Sequence, residues 1–288
     1  MKQYLSLFSF FPLIAFASHP NFCSLIEAKF QNLQWKSPLC QNYTWNNVRK
    51  TKTGSSLVWH TFGEQNTSKN TTLVLCGVHG DEITPVKFCF DIMENLKNRP
   101  DFLKDKFIVI APLVSPDSFF KKKPTRTNAS GVDVNRNFPT KDWNALALKS
   151  WKQKYKSDKR RYPGPKALSE PETLFQMNLI IRYKPSKIIS VHAPLTLLDY
   201  DGPDNLNDHN GKHGHELLIQ MSEKAEGYKI NDYPYYPGSL GNWAGNEMKI
   251  PTYTLELPSS DPSKSTVYFE KFKGALDQAF EKNFENPL

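Results

Sequence analysis

The sequence predicts an α/β protein built on a mostly parallel sheet. Short apolar runs of strand length alternate with segments of helical period along the chain. Residues 72–78 form a continuous apolar run, the pattern of a strand buried on both faces. The length of 288 residues, with 39% hydrophobic and 13% aromatic residues, supplies one large core and excludes a disordered chain. Four cysteines exclude a disulfide-dense scaffold.

Taken in order, residues 1–17 (MKQYLSLFSFFPLIAFA) carry one basic residue, Lys2, then an apolar stretch and small residues at Ala15 and Ala17. This is the layout of a secretory signal cleaved after Ala17, with an apolar run too short for an anchor. The expected mature chain, 18–288, is a single domain with no transmembrane anchor, and 18–52 is an extension of weak period packed on it. Export makes disulfides possible, and a Cys23–Cys40 bond would pin that extension. Cys76 and Cys89 are expected as buried thiols. Sequons begin at Asn42, Asn66, Asn70 and Asn128 and matter only in a host that glycosylates.

Strands are expected at 56–61, 72–78, 107–111, 187–192 and 253–257. Helices are expected at 83–98, with Pro85 in its first turn, and at 169–183, capped by Ser169 with Glu172 three residues on. Further helices are expected at 216–226 and 267–284. Residues 115–140 form a long loop rich in Pro, Asn, Gly and Lys, a length that is commonly functional. Residues 234–245 form a Gly/Pro/aromatic loop. His209, His213 and His215 lie in a polar stretch and are expected to be solvated.

Three strands end in groups suited to a metal, where α/β folds place their ligand sites. His79 and Glu82 follow the 72–78 run, three residues apart across a glycine-containing turn, and His192 closes the 187–192 run. Two imidazoles and a carboxylate with a position left for water form a catalytic zinc set. Asp81 stands beside these ligands as a candidate to orient His79. Glu256, at the end of 253–257, is the candidate base for the water. The loop 126–139 carries Arg126, Asn128, Asn135 and Arg136, and arginine pairs bidentately with carboxylates.

Together these motifs resemble the zinc carboxypeptidase family: His-x-x-Glu, then Asn-Arg, then His, then a catalytic Glu, across roughly 56–259. The resemblance implies an α/β/α three-layer sandwich on a mixed, mainly parallel sheet and one Zn2+ ion. It implies His79, Glu82 and His192 as zinc ligands, Glu256 as general base and Arg126 as the arginine that polarises the oxyanion. It also implies Asn135 and Arg136 as the clamp on the substrate's terminal carboxylate, with Asn128 and Ser239 as further substrate contacts. The 234–245 loop lies where digestive relatives place a mobile tyrosine, a part open to Tyr235 or Tyr236.

Within the family the chain is most similar to the murein tripeptide amidase branch, through His79-Gly80-Asp81-Glu82, the 126–139 loop, Tyr162-Pro163-Gly164-Pro165, Asp199-Tyr200-Asp201-Gly202-Pro203 and the 237–245 loop. That branch hydrolyses the bond between γ-D-glutamate and meso-diaminopimelate. It is typically cytoplasmic, whereas the signal here implies secretion across the inner membrane into the periplasm. The partner implied is a murein peptide with free carboxylates. Asp199 and Asp201 could meet its amine or simply cap a turn. A carboxypeptidase of ordinary peptides, a deacylase of N-acyl amino acids and a non-catalytic binder of anionic envelope polymer are the other readings.

The formal charge of +8 points to an acidic partner. Between Lys121 and Arg161, thirteen basic residues face three acidic ones, a net of +10. The positive charge therefore sits in and just after the proposed carboxylate-binding loop. Nucleic acid is excluded as a partner by export and by the lack of its binding signatures.

Overall fold

The computed structural model describes residues 20–66, 68, 70–285 and 287–288. The expected signal and its cleavage point lie outside them. An eight-stranded mixed sheet runs through the middle, in the order β1-β2-β4-β3-β5-β8-β6-β7. Its strands are β1 (Asn46–Lys50), β2 (Ser56–Phe62), β3 (Asn70–Leu75), β4 (Lys106–Ala111), β5 (Lys187–His192), β6 (Leu197–Tyr200), β7 (Ile230–Asn231) and β8 (Thr252–Glu256). The four central strands β4, β3, β5 and β8 are mutually parallel. β1, β2 and β6 join the sheet antiparallel to their inner neighbours.

The helices are α1 (Pro20–Asn32), α2 (Thr84–Lys97), α3 (Pro116–Phe119), α4 (Leu148–Gln153), α5 (Pro171–Tyr183), α6 (His209–Lys224) and α7 (Tyr268–Glu281). The period of two divides each central strand between two cores. Leu73 and Leu75 of β3 face a cluster with Phe175, Leu179 and Ile180 of α5. Val74 and Cys76 face the opposite cluster, with Phe88 and Met93 of α2, Leu217 and Met221 of α6, and Phe272 and Leu276 of α7. The three-layer arrangement expected from the sequence is thus present.

Several local expectations are corrected. Residues 18–52 hold a regular helix: Phe22, Ile26 and Phe30 of α1 recur every fourth residue and are buried against Trp35, Trp45 and Phe90. Cys23 and Cys40 are bonded, which ties α1 to the segment leading into β1. Cys76 and Cys89 are buried as expected but are not thiols. α2 folds back along β3, brings their Cα atoms to 6.3 Å and allows a second disulfide. α6 begins at His209 rather than 216, so the histidine cluster occupies its first turns, where His213 Nδ1 pairs with Glu216 at 2.6 Å. Ser169 does not cap α5. Its hydroxyl donates to Glu170, which itself occupies the cap position.

Chain order places β4 on one side of β3 and the later β5 on the other. A crevice opens outside the carboxyl ends of parallel strands where the winding reverses in this way. Every candidate metal ligand sits there.

Candidate active site

His79 and Glu82 leave β3 on a tight turn. Gly77, at φ +57°, starts it, and a Cβ there would meet Leu113 and Val86 side chains within 3 Å. The turn is pinned to the exit of β4, where Ser115 N donates to Gly77 O and Ser115 Oγ to Val78 O. His192 ends β5 and Glu256 ends β8, and the two are directly opposite in the parallel register. Three adjacent strand ends therefore deliver four polar side chains to one place.

Glu82 stands between the imidazoles. Its Oε1 lies 2.7 Å from His79 Nδ1 and its Oε2 lies 2.8 Å from His192 Nδ1. All three side chains are buried, and their candidate ligand atoms lie within 4.8 Å of one another. The outer nitrogens are fixed too: His79 Nε2 is 3.1 Å from Asp133 Oδ1, and His192 Nε2 is 2.9 Å from Ser190 Oγ. With Nε2 engaged, each ring turns Nδ1 inward, the orientation a metal-binding histidine takes from its outer partner. Burial pushes the Glu82 carboxyl up, but the two imidazoles outweigh it and hold the group well below the carboxylate range. The donor set, its burial and the held rings fit zinc.

Arg126 Nε donates to Asp133 Oδ2 at 3.0 Å and Nη1 to Glu82 Oε1 at 3.1 Å. Asp133 therefore orients both His79 and Arg126. The sequence expectation for that part was Asp81, which instead pairs with Arg160 at the rim at 2.6 Å. The available signal for Asp133 was its position two residues before Asn135, whose backbone N–H its carboxylate accepts. Glu256 accepts from Leu195 N at 3.2 Å. Burial pushes its carboxyl above the ordinary value, and the His192 charge only partly offsets this.

His79, Glu82, His192, Arg126 and Glu256 line a cavity of about 620 Å³ together with Asn135, Arg136, Ser239, Tyr235, Tyr236, Asp199 and Asp201. Asn135 Oδ1 accepts Leu240 N at 2.8 Å and so fixes the 239–241 turn against the basic loop. Arg136 Nη1 donates to Asn135 O at 2.6 Å, and its guanidinium lies over the Tyr236 ring at 4.6 Å. Its buried Nε has no hydrogen-bond partner among the described residues, so it is a donor left for a ligand. Ser239 is buried at the cavity wall, with Oγ accepting Asn242 N.

Asn128 is the exception. It is only 2% exposed and lies away from the cavity. Its Nδ2 donates to Glu170 and Glu172, and its Oδ1 closes the loop by accepting from Ser130 N and Val132 N. Its short side chain is consumed by that folding, which leaves no group for substrate. The Glu172 carboxyl in this cluster is pushed up to about 7, chiefly by burial. A carboxyl raised in this way costs nothing below about pH 4.5 and destabilises the fold as pH climbs through about 7. Glu172→Gln should therefore leave the melting temperature at pH 4.5 nearly unchanged. At pH 8 it should raise stability, by at most about 3 kcal/mol. Equal melting shifts at both pH values would refute the assignment.

Comparison with known proteins agrees with this geometry. Residues 43–285 match the family model for zinc carboxypeptidases. The chain belongs to that family. Murein peptide amidase A of Escherichia coli K12 is 30% identical over 224 residues, covering 75% of this chain and 83% of that protein. Murein peptide amidase A of Vibrio campbellii is 30% identical over 230 residues, covering 79% and 83%. Among solved structures, murein-tripeptide amidase MpaA from E. coli O157 superposes with a TM-score of 0.56 at 25% identity, covering 83% of this chain and 92% of that one. Carboxypeptidase A from Helicoverpa armigera gives 0.69 at 17% identity, covering 90% and 70%. This zinc carboxypeptidase family member is accordingly a hydrolase with the family's mixed, mainly parallel sheet.

Proposed function

We propose that the chain is an exported zinc peptidase that hydrolyses the bond between γ-D-glutamate and meso-diaminopimelate in murein peptides. The observation that carries the reading is one cavity holding His79, Glu82 and His192, with Glu256 and Arg136 in the same wall. The names of the relatives support the substrate class. The two disulfides support export, since such bonds persist in oxidising compartments. No helix among the described residues is long and apolar enough to cross a membrane.

His79, Glu82 and His192 would hold the zinc, which when bound polarises the scissile carbonyl and makes water acidic at neutral pH. Glu256 takes a proton from the attacking water and returns it to the departing diaminopimelate amine. Arg126, steadied by Asp133 at Nε, donates through its Nη end to the oxyanion. Asn135 and Arg136 grip the carboxylate beside the scissile bond, and the orphan Nε of Arg136 makes a fork available to it. Ser239 lines the same wall.

Purified mature protein with zinc should release meso-diaminopimelate from L-Ala-γ-D-Glu-meso-diaminopimelate, followed by mass spectrometry. Trimming of ordinary L-peptides with no action on this tripeptide would overturn the substrate assignment. Arg136→Ala should raise KM for the tripeptide about 100-fold, the loss of a charge-assisted bidentate contact. It should also abolish discrimination against the C-terminal amide. Discrimination that survives the substitution would remove Arg136 from the clamp.

A further inference from the structure

Part of the cavity wall is acidic, and the proposed chemistry does not use it. Asp199 lies on β6 and Asp201 just beyond it. Asp199 is directly opposite Thr254 of β8, in the antiparallel register. Asp199 is only 3% exposed yet lines the cavity. Its Oδ1 accepts Tyr233 N at 3.0 Å. Asp201 Oδ2 accepts Thr254 Oγ1 at 2.6 Å. Among the described residues neither carboxylate forms an ion pair. The approach to Asp201 is kept open by Gly241, where a Cβ would lie 2.5 Å from Asp201 Oδ1. Two acids side by side in the wall are costly to the fold alone, and at Asp201 the Thr254 hydrogen bond and the His192 and Arg136 charges offset burial only in part.

We propose that Asp199 and Asp201 recognise a terminal ammonium on the side chain of the residue released by hydrolysis, so that the enzyme selects a leaving residue with a second amine. The proposal rests on the murein reading and names its specificity element. Spacing supports it. Thr254 precedes Glu256 by two residues on β8, which sets the acidic rung about 7 Å from the base along the strand. The two amine-bearing carbons of diaminopimelate are separated by four carbon–carbon bonds, about 5 Å when extended. One amine then stands at Glu256 while the other reaches the acids. Burial, with the neighbouring Asp201 charge acting on Asp199, holds both carboxyls above the usual range, and an arriving ammonium relieves this.

The test is calorimetric binding of the released amino acid, alongside turnover. Zinc-loaded wild-type protein is titrated with meso-diaminopimelate and with 2-aminopimelate, which lacks the second amine. The diamine should bind at least about 30-fold more tightly, as for one charge-assisted contact. Asp201→Asn and Asp199→Asn should each reduce that ratio to within about threefold. If one variant does not fold, the other carries the comparison. A wild-type ratio near one, no measurable binding of either compound, or a ratio unchanged in the folded variants overturns the proposal. Binding and cleavage separate the two readings. A preserved ratio without cleavage of the γ-D-glutamyl peptide removes the murein substrate and keeps the ammonium site. Cleavage without a ratio removes the ammonium site alone.

Discussion

Glu256→Gln should lower kcat on the γ-D-glutamyl tripeptide about 1,000-fold or more, within the range that a positioned base contributes. KM and bound zinc should stay within a few-fold of wild type. The substitution removes one proton acceptor and little else. Glutamine keeps the length of the side chain, and its oxygen can still accept Leu195 N, the one hydrogen bond the Glu256 carboxylate makes among the described residues. Glu256 makes no hydrogen bond to the three candidate ligands, so metal uptake should survive. Steady-state kinetics together with metal analysis of the same sample decides the matter. Turnover within tenfold of wild type would show that another group takes the proton. Loss of zinc along with activity would show that Glu256 belongs to the metal set and not to the proton path. A non-catalytic envelope binder predicts neither result, because its function would survive the change.

The parts of this site that were legible in the sequence share one physical property. His192 and Glu256 close apolar strands, and His79 and Glu82 stand on the short turn that leaves another, so neighbouring parallel strands bring all four to the same edge of the sheet. Asn135 and Arg136 were singled out through the family resemblance, since the residue types of the loop taken alone also fit an ordinary basic surface loop. What escaped depended on contacts distant in sequence. Asn128 looks like a substrate amide until Glu170 and Glu172 come down beside it, a separation of more than forty residues. The Cys76–Cys89 bond requires α2 to fold back on β3, which periodicity alone does not say. Asp133 was hidden for a different reason, since its local backbone contact with Asn135 masks two distant partners, His79 and Arg126. β6 was missed because it has only four residues.

Zinc should raise the melting temperature of the chelated protein by about 10 °C when free zinc is a thousandfold above its dissociation constant. That ratio corresponds to about 4 kcal/mol of linkage, and each kcal/mol moves a domain of this size by about 2–4 °C. Chelation should abolish turnover over the same titration. His192→Ala should eliminate the thermal increment, because it removes one of three ligands and leaves Glu82 with a single imidazole partner. Asp133→Asn should be intermediate. It keeps all three ligands but weakens the hold on His79 Nε2, a loss of about 10–100-fold in metal affinity. Asp133 also anchors Arg126, so this variant will melt lower with or without zinc. The quantity to compare is therefore the zinc-induced increment, in which that common loss cancels. An increment in His192→Ala equal to wild type would dismantle the ligand assignment. An increment in Asp133→Asn equal to wild type would show that the His79 ring is held by packing alone.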